Sequence, residues 1–441
     1  MTRISKIVGR GTAVAVAVGI GASTALAGGF AVREQSALGQ GASFAGAGAS
    51  TALSAMFWNS AAVTSLDGLN TDSNITAILP SVDLTALTGS TRATADQTAD
   101  YGRNGYVPAS YVNYQLKGYD PKMYVGLGVN SAFGLGTKPD SRWAGAEVAN
   151  STKLFTVNFN PVLGYKFSDA LSVAAGPTFE YAKATFKFAT GSPTGPNTSF
   201  LSQGDMAVGA TAGLMYTPTQ ATRIGLGWRS QITHDLNGTF ATGGSLTGNA
   251  VLDGRLNAGV AAKTELRLPD IVTLSLQQAF APNLRLLASV EWTNWSRFDN
   301  LTLTSTGSGY TLLTGGPGVL APAGSKIGVI SAKWDDGWFF SGGLEYDVNN
   351  KLTVRGGVAY EITPEQKTTE KLLNAPDVNR IWASGGLSYK VSPSMDVDFA
   401  YTHIFGLGGQ LDRTGLSGVR IIADIDASAD IVSLGMRMKL N

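Results

Sequence analysis

Along much of this chain apolar and polar residues alternate one by one, over runs too long for an ordinary soluble sheet. Near the C-terminus Val432, Leu434, Met436, Met438 and Leu440 interleave with Ser433, Gly435, Arg437, Lys439 and Asn441. Successive side chains of a strand point to opposite faces, so one face here is wholly apolar and the other small or charged. The same division sets Leu284, Leu286, Ala288, Val290 and Trp292 against Arg285, Ser289, Glu291 and Thr293, with Leu287 the exception. A third run sets Leu352, Val354, Gly356, Val358 and Tyr360 against Thr353, Arg355, Gly357, Ala359 and Glu361. Strands of soluble proteins average about 5–6 residues, whereas these reach the ~9–11 needed to cross a bilayer obliquely. The apolar face is therefore expected to meet lipid.

The links between runs alternate in length. Short ones fall at Gly118–Pro121, Ser168–Ala170, Pro218–Ala221, Ala281–Asn283, Val348–Asn350 and Ser392–Ser394. Between them lie long polar or Gly-rich links at Thr88–Asn104, Gly134–Thr152, Thr190–Ser202, Thr242–Gly254, Ser305–Ser325, Thr363–Asp377 and Gly406–Ser428. Tight periplasmic turns and longer outer loops are the pattern of an outer-membrane barrel. The spacing predicts an all-β fold, a transmembrane antiparallel barrel of about fourteen strands over residues 71–441, closed so that every backbone group is paired in lipid.

The N-terminus reads as two further units. Arg3, Lys6 and Arg10 precede the small apolar stretch Gly11–Ala25, and Ala25-Leu26-Ala27 has the form of a cleavage site, so residues 1–27 are expected to be a secretory signal peptide. The apolar stretch is short of the ~20 residues of a spanning helix, and no later segment reaches that length uninterrupted. Residues 28–70 are rich in Gly, Ala and Ser but carry Phe30, Phe44, Met56, Phe57 and Trp58. A disordered leader is one reading; a plug packed in the barrel lumen is preferred, because it shelters those large side chains from water.

Composition removes other classes of function. The chain has no Cys and two His, which excludes disulfides, thiolate zinc sites and cysteine nucleophiles. Formal charge is +1, and without the three leader cations 30 basic residues face 32 acidic ones, so no nucleic-acid partner is expected. Gly-x-Ser-x-Gly, Gly-Lys, His-Glu-x-x-His and EF-hand patterns are missing from the sequence. His403 shares its parity with Phe399 and Tyr401 and is expected on the outer interface, not in a barrel hydrolase site. His234 is read as a loop-base residue. No enzyme, metal or cofactor is expected.

Several blocks, in order, resemble the FadL-type family of outer-membrane long-chain fatty acid and hydrocarbon transporters. Gly29-Phe30, Gln35-Ser36 and Gly39–Gly48 look like the start of its hatch. Trp58-Asn59-Ser60-Ala61-Ala62 stands where the family has an Asn-Pro-Ala signature, with Ser60 in place of the proline. Ser131–Leu135, Asn160–Lys166, Trp228-Arg229-Ser230, Leu268-Pro269-Asp270 and Glu291–Ser296 follow. The most specific block runs from Trp334-Asp335-Asp336 through Gly343–Tyr346, Tyr360–Pro364, Pro376-Asp377, Arg380 and Trp382 to Tyr401. The resemblance implies a fourteen-stranded barrel with an N-terminal hatch in the bacterial outer membrane, taking up hydrophobic molecules passively and releasing them sideways at a kinked third strand. It makes Phe30 a candidate ligand contact and Asn59, Ser60 and Ala61 candidate hatch or gate residues, close to the third strand.

From the residues themselves, Gly126 and Gly128 mark either a bend in that strand or the floor under the plug. By parity Arg229 and Arg355 face the lumen near mid-depth, either pairing with Glu291, Glu345 or Glu361 or gripping a ligand carboxylate. Leu312 and Leu313, with Tyr310 and Leu320, belong to an unusually apolar outer loop and are candidate capture residues. Aromatic residues at strand ends, among them Trp292, Trp295, Trp334, Trp338, Tyr401 and Phe405, are read as an interfacial girdle. Expected partners are fatty acids or hydrocarbons, outer-membrane lipids and lipopolysaccharide, with the protein a monomer. A general diffusion porin for small polar solutes is the alternative.

Overall fold

A computed structural model describes residues 28–87, 96–139, 143–146, 151–189, 197–243, 247–311, 319–373, 375–414 and 420–440; the expected leader lies outside them. The alternating runs form fourteen wall strands. The first five are β1 (Leu69–Ala86), β2 (Gly105–Gln115), β3 (Met123–Asn130), β4 (Ser151–Lys166) and β5 (Leu171–Ala189). Next come β6 (Asp205–Thr219), β7 (Thr222–Arg229), β8 (Ile271–Ala281), β9 (Leu284–Thr293) and β10 (Gly337–Asp347). The last are β11 (Leu352–Ile362), β12 (Arg380–Ser392), β13 (Met395–Gly406) and β14 (Arg420–Lys439).

Each strand pairs antiparallel with its chain neighbours, and β1 closes the barrel on β14 from Asn70↔Lys439 to Ala86↔Ala423. The six tight turns join β2 to β3, β4 to β5, β6 to β7, β8 to β9, β10 to β11 and β12 to β13, which assigns that end to the periplasm. In β14, Leu434 is 52% exposed and Met436 also lies bare, while Ser433 is fully buried. The apolar set thus faces outward, as the alternation requires. At the other end Ile232–Thr242 and Val260–Leu268 carry the wall beyond β7 and β8, joined through a helix, Ala250–Ala258, whose N-terminus is capped by Asn249.

Residues 28–68 fill the lumen. They form one helical turn, Ala37–Gln40, capped by Ser36, and three 3₁₀ turns, Ala47–Ala49, Leu53–Phe57 and Ser60–Thr64. Small residues let this segment lie directly on the wall. A Cβ added at Gly225 would come within 1.9 Å of the Gly48 carbonyl, and one at Gly227 within 1.7 Å of the Trp58 carbonyl. Much of the high glycine content therefore has one cause, backbone packed against backbone. The first strand begins at Leu69, slightly earlier than the sequence suggested.

Candidate functional site

Two features meet near the outer end of the lumen. The first is an apolar pocket. Phe30 stacks edge-on to Trp295 at a centroid distance of 4.6 Å and to Phe298 at 5.3 Å, and lies 5.6 Å from Trp334. Leu135, Leu154, Phe186, Leu266, Leu301 and Ile330 also line it, with Thr152 at its edge and Leu372 and Ala375 from an outer loop, and the free space left is about 30 Å³. That is the share of about one water in the liquid. The Phe30 ring packs into the centre of this cluster.

The second feature is a break in the wall. After Asn130 the third strand leaves the ladder for three residues and resumes at Gly134–Thr137. Asn130 faces Asn158 but Gly134 faces Phe155, so β3 has gained one residue against β4, the definition of a bulge. Past it, Gly134–Thr137 pairs with β4 alone; among the described residues Gly105–Ala109 of β2 have no partner on that side. The N-terminal segment occupies the break. Val32 donates to the Ala132 carbonyl at 2.8 Å, Gly134 donates to the Phe30 carbonyl at 2.9 Å, and Ala31 forms an antiparallel bridge with Phe133. Thr156 of β4 braces the bulge, accepting from Phe133 N–H at 3.3 Å and donating to its carbonyl at 2.7 Å.

A buried charge network holds the same strap from the other side. The amides of Gly28 and Gly29 donate to Glu361 and Asp377, each at 2.7 Å. Arg33 pairs with Glu291 at 2.9 Å and with Glu361, and Arg380 joins Glu361 to Asp377. Trp382 Nε1 donates to Glu361 at 3.1 Å. Burying charges is costly unless they are paired and hydrogen-bonded, so this network holds the strap in position.

The sequence profile of the outer membrane protein transport protein family (OMPP1/FadL/TodX) matches residues 18–440. The chain belongs to this family. The long-chain fatty acid transport protein of Escherichia coli K12 is 25% identical over 90% of this chain and 92% of its own length. Outer membrane protein P1 of Haemophilus influenzae is 25% identical over 73% of this chain and 72% of its own. In fold, the chain is similar to a Pseudomonas aeruginosa FadL homologue, with a TM-score of 0.80 at 21% identity over 94% of this chain and all of that one. The Pseudomonas putida toluene transporter TodX follows at 0.63 and 14%, over 88% of this chain and 94% of that one. The protein is thus an outer-membrane β-barrel of a transport family for hydrophobic compounds and not an enzyme.

Within this FadL/TodX barrel several candidate residues sit elsewhere than the sequence suggested. Gly126 and Gly128 do not form the kink: both lie in register with β2 and β4, and the break comes at Ser131–Phe133. A Cβ on Gly126 would strike Val63 at 2.5 Å, so this glycine admits the hatch. Asn59, Ser60 and Ala61 pack against β6 and β7, not the third strand. Asn59 Nδ2 donates to Gly48 at 2.7 Å and to Leu214 at 3.0 Å, its Oδ1 accepts from Ala61, and Ser60 bonds Thr211 at 2.7 Å. Serine in the proline position thus still opens a 3₁₀ turn, because the first N–H of such a turn needs no internal partner.

Arg355 is not at mid-depth. It stands near the periplasmic turn, bound to Glu345 at 2.7 Å and to Ser388 at 2.8 Å, with its stem against Gly41. Arg229 does reach mid-depth. Its guanidinium lies 4.7 Å from the Phe57 ring centre and donates to the Phe57 carbonyl at 3.4 Å; among the described residues no carboxylate pairs with it. Trp295 and Trp334, expected in the girdle, are buried in the pocket, while Trp338, Tyr401 and Phe405 do face outward. His234 is fully buried between Glu180 and Asp205, each at 3.1 Å, and is no loop-base residue. Leu312 and Leu313 lie outside the described residues.

Sequence reasoning missed Arg33 as a partner of Glu291 and Glu361. The signal was present: Arg33-Glu34 is the only charged pair in the otherwise uncharged stretch from Gly28 to Leu66.

Proposed function

We propose that the chain takes hydrophobic molecules from its outer loops into the Phe30 pocket and releases them sideways through the break after Asn130. One observation carries this reading: the same five residues, Gly28 to Val32, plug the pocket with Phe30 and fill the broken wall with backbone hydrogen bonds. Displacing the strap frees both at once. An apolar solute gains from leaving into lipid and would lose by entering water, at about 25 cal/mol per Å² of surface. Residues 28–68 then act as the gate and residues 1–27 as the export leader. Leu312 and Leu313 act in capture at the outer loop, and Asn59, Ser60 and Ala61 anchor the immobile part of the hatch.

For the ligand class we favour long-chain fatty acids, the substrate named for the E. coli relative. Arg229 is the supporting residue, a buried cation without a carboxylate partner among the described residues. Toluene-like hydrocarbons, named for the P. putida structure, are the second reading, because the cations nearest Phe30 in sequence and network are already paired. Uptake of radiolabelled oleate and toluene by cells carrying the wild type or Arg229→Met distinguishes them. Fatty acid transport requires a selective loss of oleate uptake, since an unpaired carboxylate in a low-dielectric lumen costs several kcal/mol or must protonate. Equal loss of both substrates assigns Arg229 to holding the hatch.

A further inference from the structure

The outer wall carries an uncompensated cluster of cations. On β4 the outward residues Tyr165, Leu163, Phe159, Val157 and Phe155 form an apolar column, and the next outward residue is Lys153. On β5 the column Val173, Ala175, Pro177, Phe179 and Tyr181 ends in the same way at Lys183, followed by Thr185 and Lys187. All three lysines are exposed. Strand pairing places Lys153 directly opposite Thr185, with Phe155 opposite Lys183 and Ser151 opposite Lys187. Lys153 is thus diagonal to both other lysines, at the ~7–8 Å typical of such neighbours. Like charges at neighbouring positions of one face repel, and an anion placed between them relieves that repulsion. Among the described residues no carboxylate pairs with any of the three.

Their height is fixed by the apolar columns beneath them, which span about the 25 Å of an outer-membrane barrel's lipid band. Because the tight turns mark the periplasmic end, the lysines stand at the headgroup level of the outer leaflet. We propose that Lys153, Lys183 and Lys187, with the Thr185 hydroxyl between them, bind the phosphates of a bisphosphorylated acylated glycolipid of the lipid A type. Its acyl chains run down over Phe155, Phe159 and Phe179. Compact ammonium groups on flexible stems suit phosphate as point-charge donors. The surface is a sector, not a ring: just above the band of β1 and β14 the outward residues are Asp83 and Asp426, directly opposite one another. Phosphates are repelled there.

The test is native mass spectrometry of the full-length protein in detergent, titrated with hexa-acyl bisphosphoryl lipid A, its monophosphoryl form or phosphatidylglycerol. A basic residue near an anionic membrane surface contributes about 1 kcal/mol, which is about fivefold in affinity, so K153Q/K183Q/K187Q should bind bisphosphoryl lipid A roughly a hundredfold more weakly. The monophosphoryl form should bind the wild type more weakly than the bisphosphoryl form, and phosphatidylglycerol should bind weakly to both proteins. The three side chains are solvent-facing, and retention of the heat-modifiable electrophoretic shift verifies folding of the variant. K153R/K183R/K187R should retain binding. Undiminished lipid A binding by the glutamine variant overturns the site. Phosphatidylglycerol binding as tight as lipid A, with the same loss on substitution, overturns the glycolipid assignment in favour of general attraction to anionic lipid.

Discussion

The lumen above the hatch and the lumen below it are built from opposite materials. Above, around Phe30, aromatic and aliphatic side chains close on themselves and leave about 30 Å³. Below, beside Arg285, Glu345 and Arg355, a cavity of about 500 Å³ stands between the hatch and the periplasmic turns. Five of its charged groups pair among themselves or with a neighbour: Arg285 bonds Glu345 and Asp347, Arg355 bonds Glu345, and Arg437 bonds Asp398. An apolar molecule that reached the hatch would gain nothing by continuing into that polar vestibule, whereas the break in β3, filled by the strap, lies beside the apolar compartment. In the proposed route, the difference between the two compartments sets the direction of travel.

Removing the partition should have the largest effect. Deletion of residues 28–68 merges the compartments, and single-channel conductance in planar bilayers should rise toward that of an open, water-filled barrel. An unchanged conductance would mean that the outer loops, not the hatch, seal the pore.

Breaking one carboxylate in each compartment sharpens the contrast. Glu361→Gln leaves Arg33 and Arg380 short of a buried counter-charge and should destabilise hatch docking by about 3–5 kcal/mol. Glu345→Gln should cost less, about 1.5–3 kcal/mol, because Arg285 keeps Asp347 and the Glu345 carboxylate is partly exposed. Protease susceptibility of the N-terminal segment under increasing urea reports both. Equal effects would show that the two networks are equally buried.

A graded effect, spread over several pH units, concerns the loop over the pocket. Burial pushes the Glu365 carboxyl up from its ordinary 4.5 to about 8, and the loop from Glu365 also supplies Leu372 and Ala375 to the pocket lining. A carboxyl raised on folding favours the docked loop below its undocked value and loses that contribution as pH rises through its docked one. Docking should therefore weaken from about pH 4.5 to about pH 8 and then level off, by at most about 1.4 kcal/mol per pH unit. Hydrogen exchange at Leu372 and Leu373, corrected for intrinsic rates, should show this trend, and Glu365→Gln should abolish it.

Much of the wall was legible in the sequence, because a strand between water and lipid must alternate and a closed barrel must use every strand. Residues such as Leu434 and Ser433 declare their faces by chemistry alone. The interior was less legible. Trp295 and Trp334 lie outside regular strands, in a short 3₁₀ turn and an irregular link, where period-two parity no longer says which way a side chain points. The kink eluded a search for glycine because its cause is an inserted residue at Ser131–Phe133, filled by a segment a hundred residues upstream. Arg355 and Arg229 share inward parity, but parity carries no depth, and depth decides whether a cation meets the vestibule or the hatch core.

In the proposed mechanism the strap from Gly28 to Val32 must leave the break in β3 for transport to occur. The chain has no cysteine, and the Ala31↔Phe133 bridge is a non-hydrogen-bonded antiparallel pair, whose Cα separation of about 4.5 Å suits a disulfide. Uptake of labelled oleate and of toluene should therefore be measured in cells carrying A31C/F133C, oxidised and then reduced, beside each single variant. Oxidation should abolish uptake of whichever substrate the wild type carries and reduction should restore it, with the single variants insensitive to redox state. Full uptake through the oxidised, cross-linked protein would contradict the mechanism.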